Sequence, residues 1–243
     1  MLESIVIINL PNRLAQRSIQ FAAATAVFFL AANQLAAQAK HPLTQRQIAE
    51  VMGMGGASWL ERPEREIEEA PEKALDAIGI GPGMIIADVG AGTGYFARRM
   101  AVRTGPKGKV YAVDIQPQML ELLKKYAARQ GLTNLETIAG KEDDPLLPEG
   151  KIDLILMVDV YHEFANPQVM LRKMRAALGP QGRMVLLEYR KEDPEVPIRL
   201  VHKMSVDEVK TEIEAEGFRL DKVIATLPRQ HILIFTVSPL RTP

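Results

Sequence analysis

The chain has 243 residues, 47% of them apolar, enough for one sizeable α/β domain with a small addition. Its 30 basic and 30 acidic residues cancel, so no overall charge draws it to nucleic acid or to an acidic membrane. There is no cysteine, which excludes disulfides, thiolate metal sites and cysteine nucleophiles.

At the start, Arg13 and Arg17 precede an apolar stretch from Ile19 to Ala32, and Ala37-Gln38-Ala39 has the A-x-A pattern. A basic region, a short apolar core and a small-residue site make residues 1–39 read as a secretory signal peptide, leaving Lys40 first in the mature chain. The protein would then be exported, periplasmic or secreted. The apolar core is shorter than a membrane span usually requires, and an uncleaved tether through residues 18–32 is the alternative. Residues 40–70 form a charge-rich lead-in that holds the only tryptophan, Trp59.

From residue 71 the pattern becomes strand and helix in turn. Pro71 to Ile80 reads as a helix with Ala74, Leu75, Ala77 and Ile78 on one side, stopped by the glycines around Pro82. Ile85 to Val89 is a short apolar run with the character of a buried strand. Gly90, Gly92 and Gly94 follow at alternate positions, and Tyr95 to Met100 opens a helix. Strand, glycine turn and helix present backbone N–H groups to a nucleotide-like ligand, and glycine is needed where a Cβ would block its approach. The dinucleotide fingerprint is G-x-G-x-x-G, whereas here the loop is G-x-G-x-G and Tyr95 follows it.

This loop resembles motif I of the class I S-adenosylmethionine (SAM)-dependent methyltransferases. The resemblance covers roughly residues 71–238 and implies a three-layer Rossmann-like α/β sandwich. Its sheet would have seven mostly parallel strands, the last of them antiparallel. It implies SAM as cofactor, with Gly90, Ala91, Gly92 and Gly94 beneath its methionine end and Asp88 orienting the loop. It also makes the lead-in a candidate lid through Trp59 and Arg62; plain packing of Trp59 on the domain is the other reading.

Lys109 to Asp114 is the second strand. A carboxylate at its carboxyl end, Asp114 with Ile115 beside it, is placed to accept hydrogen bonds from ribose hydroxyls; capping of the next helix is the alternative. Residues 116–130 read as a helix and 134–139 as a strand. In the acidic loop Glu142-Asp143-Asp144 the resemblance implies a partner for the adenine amino group, assigned to Asp143, though a solvated acidic loop reads equally well.

Residues 151–158 form an apolar fourth strand ending at Val158, next to the cofactor, and continue into Asp159-Val160-Tyr161-His162-Glu163. An acceptor should meet the methyl donor there. His162, Asp159 and Glu163 are the candidate catalytic groups for removing a proton, and Tyr161 is a candidate for the acceptor pocket. A structural histidine and a core tyrosine are the alternatives. Both prolines of the turn used by nucleic-acid amino-methyltransferases are missing, and nucleic acid is not expected as a partner. A helix over 167–178 and a strand over 183–188 lead to a polar segment, 189–204, with Tyr189 and Arg190 as expected first contacts of substrate. His41, His202 and His231 are scattered in sequence, and none is assigned to a metal. A helix over 206–216 and strands over 218–226 and 231–237 close the domain with a hairpin.

The expected function is methyl transfer from SAM to a small-molecule or lipid-like acceptor. The alternatives are a nicotinamide-dependent oxidoreductase and an exported, non-catalytic SAM-binding protein of the same fold. Oligomeric state is not legible in the sequence.

Overall fold

Apolar residues are nearly consecutive along the central strands, as they must be in a sheet buried on both faces. The computed structural model describes residues 39–238 and covers both faces with helices. The expected signal peptide and the tether through residues 18–32 fall almost wholly outside the described residues. Among the described residues, no helix is long and apolar enough to cross a membrane.

Two very short helices, α1 (Ala57–Leu60) and α2 (Arg65–Glu68), lie in the lead-in. The alternating part then runs α3 (Pro71–Ile78), β1 (Ile85–Val89), α4 (Tyr95–Thr104), β2 (Lys109–Asp114), α5 (Pro117–Arg129) and β3 (Leu135–Ala139). It continues through β4 (Ile152–Val158), α6 (Pro167–Ala177), β5 (Leu178–Arg190), β6 (Lys203–Met204), α7 (Val206–Glu214), β7 (Phe218–Ile224) and β8 (Gln230–Val237).

The sheet order is β3-β2-β1-β4-β5-β8-β7, with β6 paired to β5 at the side. β8 runs antiparallel to both β5 and β7; β1 to β5 are parallel along the path. The side-chain period of two sorts each strand between two cores. Ile86, Leu154, Leu156 and Val185 face α3, α4 and α5 through Leu75, Met100 and Leu123. Ala87, Ile155, Met157 and Leu186 face α6 and α7 through Leu171, Met174 and Ile213.

The expected elements fall within two residues of their places, with two differences. β5 begins at Leu178 instead of 183, because the chain bulges against β4 between Ile152 and Leu154. The segment read as a polar loop carries an eighth strand, β6, with Tyr189 opposite Lys203 and Arg190 opposite Met204.

The chain builds outward from β1 to β3 and then returns to β4 on the other side of β1. That reversal opens a crevice at the strand ends, the place where open α/β sheets bind ligands.

Candidate active site

The crevice holds an apolar cavity of about 140 Å³, bordered by Gly90, Gly92, Asp114, Val158 and Glu163. The glycine loop forms one wall. Gly90 N and Ala91 N donate to the Val113 carbonyl at 2.8 and 2.9 Å, which fastens the loop to β2. Gly90 and Gly92 have φ of 79° and 54°, in the left-handed region where glycine carries no steric cost. A Cβ at Gly90 would collide with Val160, and one at Gly92 would lie 2.9 Å from Leu60 Cδ1. Gly94 acts differently. A Cβ there would run into Leu123 of α5, so this glycine permits close packing of the helix.

Asp114 serves the loop and the cavity together. Its Oδ2 accepts from Gly92 N and its Oδ1 from Gln116 N, each at 2.8 Å. It borders the cavity, as does Ile115, and burial raises its pKa against the pull of these N–H donors. Asp88 lies beneath the loop, 2% exposed, where its carboxyl accepts from the backbone N–H of Ala97 in α4. Burial lifts its pKa to about 7, with the charge of Asp114 adding to the effect. Asp88 thus braces the start of α4 beneath the loop.

In the acidic loop, Glu142 and Lys141 border the cavity and Asp143 does not, though all three side chains are exposed. Glu142 thus stands nearer the cavity than Asp143.

At the end of β4 the expected cluster divides. Glu163 borders the cavity, and burial raises its carboxyl to about 7. Asp159 also borders it, in a left-handed backbone conformation with φ of 50°. Its Oδ2 is held by Gln230 Nε2 at 2.6 Å, while Oδ1 is buried without a hydrogen bond among the described residues. Burial, together with Glu69 and Glu188, pushes this carboxyl well above its usual range, which favours its neutral form. His162 points away from the cavity, its Nδ1 2.7 Å from Glu188 Oε2 and its Nε2 3.1 Å from His202 Nδ1.

Three expected substrate contacts are elsewhere. Tyr161 is fully buried in the core and carries the guanidinium of Arg46 5.3 Å from its ring centre. Tyr189 is also buried, its hydroxyl donating to Glu69 Oε1 at 3.2 Å. Arg190 is occupied with the Leu227 and Gln230 carbonyls, at 2.8 and 3.1 Å, and with Asp193. For the last two the reason is shared: β5 runs two residues beyond its expected end, so Tyr189 and Arg190 become ladder residues.

The lead-in supplies a wall, but through other residues than expected. Val51, Met52 and Leu60 line the cavity. Trp59 instead stacks on Arg62, whose guanidinium carbon is 3.7 Å from the ring centre. The lead-in is tied down by Gln116 Nε2 donating to the Met52 carbonyl at 2.8 Å, and by Glu61, which binds Arg98 and Thr93 at 2.6 Å. No local pattern in the sequence marks Val51, Met52 or Leu60; only their apolar character in a charged segment sets them apart.

The sequence model of a family described as a methyltransferase domain matches residues 80–226. The ubiquinone/menaquinone biosynthesis C-methyltransferase UbiE of Cupriavidus taiwanensis is 27% identical over 113 residues, 46% of each chain. The protein of the same name from Laribacter hongkongensis is 30% identical over 117 residues, 48% of each chain. The chain therefore spans about half the length of the curated relatives it matches. Among solved structures, a SAM-dependent methyltransferase from Aquifex aeolicus superposes with a TM-score of 0.73 at 26% identity, over 77% of this chain and 100% of that one.

Proposed function

Because this chain belongs to the methyltransferase-domain family, for which SAM is the implied cofactor, we propose that it transfers a methyl group from SAM to a small, lipid-like acceptor. The observation that carries this reading is Asp114: one carboxylate at the end of β2 braces the glycine loop and borders the cavity. The residues present fit the cofactor. Gly90 and Gly92 bring bare backbone to the cavity edge, where a Cβ would meet Val160 and Leu60, and the Asp114 carboxylate at the end of β2 suits a pair of ribose hydroxyls.

When bound, SAM supplies a sulfonium methyl group open to in-line displacement. The chain contributes position and dryness. The glycine loop and Asp114 hold one end of the crevice, while Glu142 borders the other. Val51, Met52, Phe164 and Met170 give the acceptor region an apolar surface that excludes water. That surface supports a lipid-like acceptor, as do relatives named for ubiquinone and menaquinone biosynthesis. Glu163, with a carboxyl raised to about 7, receives a proton where the acceptor must lose one, while the neighbouring Asp159 is held by Gln230. The apolar stretch at 18–32 supports an exported or tethered protein, to be tested by the N-terminal sequence of the mature chain.

Calorimetric titration of the full chain with S-adenosylhomocysteine tests the cofactor reading. We expect binding, weakened at least tenfold by Asp114→Ala. Absence of binding by the folded wild type would overturn it. Transfer of labelled methyl from SAM to a demethylated quinone precursor tests the reaction; binding without transfer to any lipid-like acceptor would leave the non-catalytic alternative.

A further inference from the structure

We infer that His162, Glu163 and His202 form a binding site for a divalent transition cation of the zinc class. The inference is independent of the methyl-transfer reading.

The three residues come from two turns about 40 positions apart in sequence and meet at one point. His162 and Glu163 lie in the short turn after β4, and His202 ends the turn before β6. One ligand atom from each, a ring nitrogen of either histidine and a carboxylate oxygen of Glu163, lies within 4.8 Å of both others. The two ring nitrogens are 3.1 Å apart, and Glu163 Oε1 is 3.9 Å from His162 Nε2. Ligands held about 2.0–2.1 Å from a tetrahedral zinc ion are separated by ~3.3 Å. The imidazoles thus already have nearly the required spacing, and the carboxylate has to swing inward to reach it.

Glu188 supplies a second, separate observation. It is fully buried, and among the described residues its ion-pair partner within 4 Å is His162. Its Oε2 takes His162 Nδ1 at 2.7 Å and its Oε1 takes Tyr161 N at 3.0 Å. A histidine that binds a metal through one nitrogen usually gives the other N–H to a carboxylate, which fixes the tautomer and strengthens the ligand. Here that arrangement aims the Nε2 lone pair at His202. A buried carboxylate is costly without compensating positive charge, and a cation on the far side of the imidazole provides it.

Two histidines and one glutamate are hard-to-intermediate nitrogen and oxygen donors, which suit zinc, cobalt or nickel better than magnesium or calcium. Three protein ligands also leave a position open. Only Glu163 of the three borders the cavity, so the open position is one for water or a small ligand.

The test is titration of the full, chelator-treated chain with Co²⁺, followed by visible absorption, and with Zn²⁺, followed by calorimetry. We expect one equivalent to bind with the intense visible bands of four-coordinate cobalt. His202→Ala and Glu163→Gln should each weaken binding at least 100-fold, with folding confirmed by thermal melts. Glu188→Gln should weaken it about 10- to 100-fold, the usual effect of losing an outer-shell partner. No uptake by wild type, or uptake unchanged in both ligand variants, would overturn the site.

Discussion

The two halves of the crevice are built by different means. The cofactor half is made of neighbouring chain: a glycine turn bonded to the end of β2, with Asp88 and Asp114 as braces. The acceptor half, at the exits of β4 and β5, is assembled from side chains remote in sequence. Arg46 of the lead-in holds Glu212 of α7 through two short contacts, at 2.9 and 3.0 Å, and donates to the His162 carbonyl at 3.1 Å. Glu69 receives Arg65 at 2.7 Å and Tyr189 at 3.2 Å. Backbone geometry holds one half, and buried charge holds the other.

The sharpest way to break the acceptor half alone is at Arg46. Both side chains of its pair with Glu212 are essentially out of solvent, and losing one partner of a buried pair costs about 3–5 kcal/mol. Urea unfolding of Arg46→Ala should show a loss of that size. Replacing both partners, Arg46→Met with Glu212→Leu, should recover most of it, since no charge is then left unpaired.

The matching probe of the cofactor half is Asp88. Its folded pKa of about 7 lies above the ordinary 3.8. Below both values the group is protonated in either state and contributes no pH dependence. As pH rises, the unfolded chain releases its proton first, so stability falls, and the loss levels off above about 7. Between pH 5 and pH 8 this amounts to about 3 kcal/mol. Asp88→Asn should unfold with that much less loss over the same interval, measured by urea titration at the two pH values.

The smallest effect is expected at Ser205, which caps α7 by accepting from Glu208 N at 3.1 Å while Glu208 Oε2 accepts from Ser205 N at 3.0 Å. Ser205→Ala should cost about 1 kcal/mol. Affinity for S-adenosylhomocysteine should stay unchanged, because α7 supports the half that does not hold the cofactor.

The same division explains what is legible in the sequence. Gly90, Gly92 and Asp114 can be read because local backbone sets what they do: a turn needing positive φ, and a strand end facing the crevice. Tyr189 and Arg190 cannot be placed that way, because β5 extends only by pairing with β6 and β8, a contact no local pattern reports. Asp143 and Glu142 differ by one position in a loop, and only the path of that loop shows which meets the cavity.

By itself, the sequence determined the alternation of strand and helix, the sheet buried on both faces and the glycine loop, since these follow from periodicity and from the steric freedom of glycine. Only the tertiary structure decided that Val51, Met52 and Leu60 close the cavity, that Tyr161 belongs to the core, and that His202 meets His162. Those outcomes depend on long-range packing, in which residues 40 to more than 160 positions apart become neighbours.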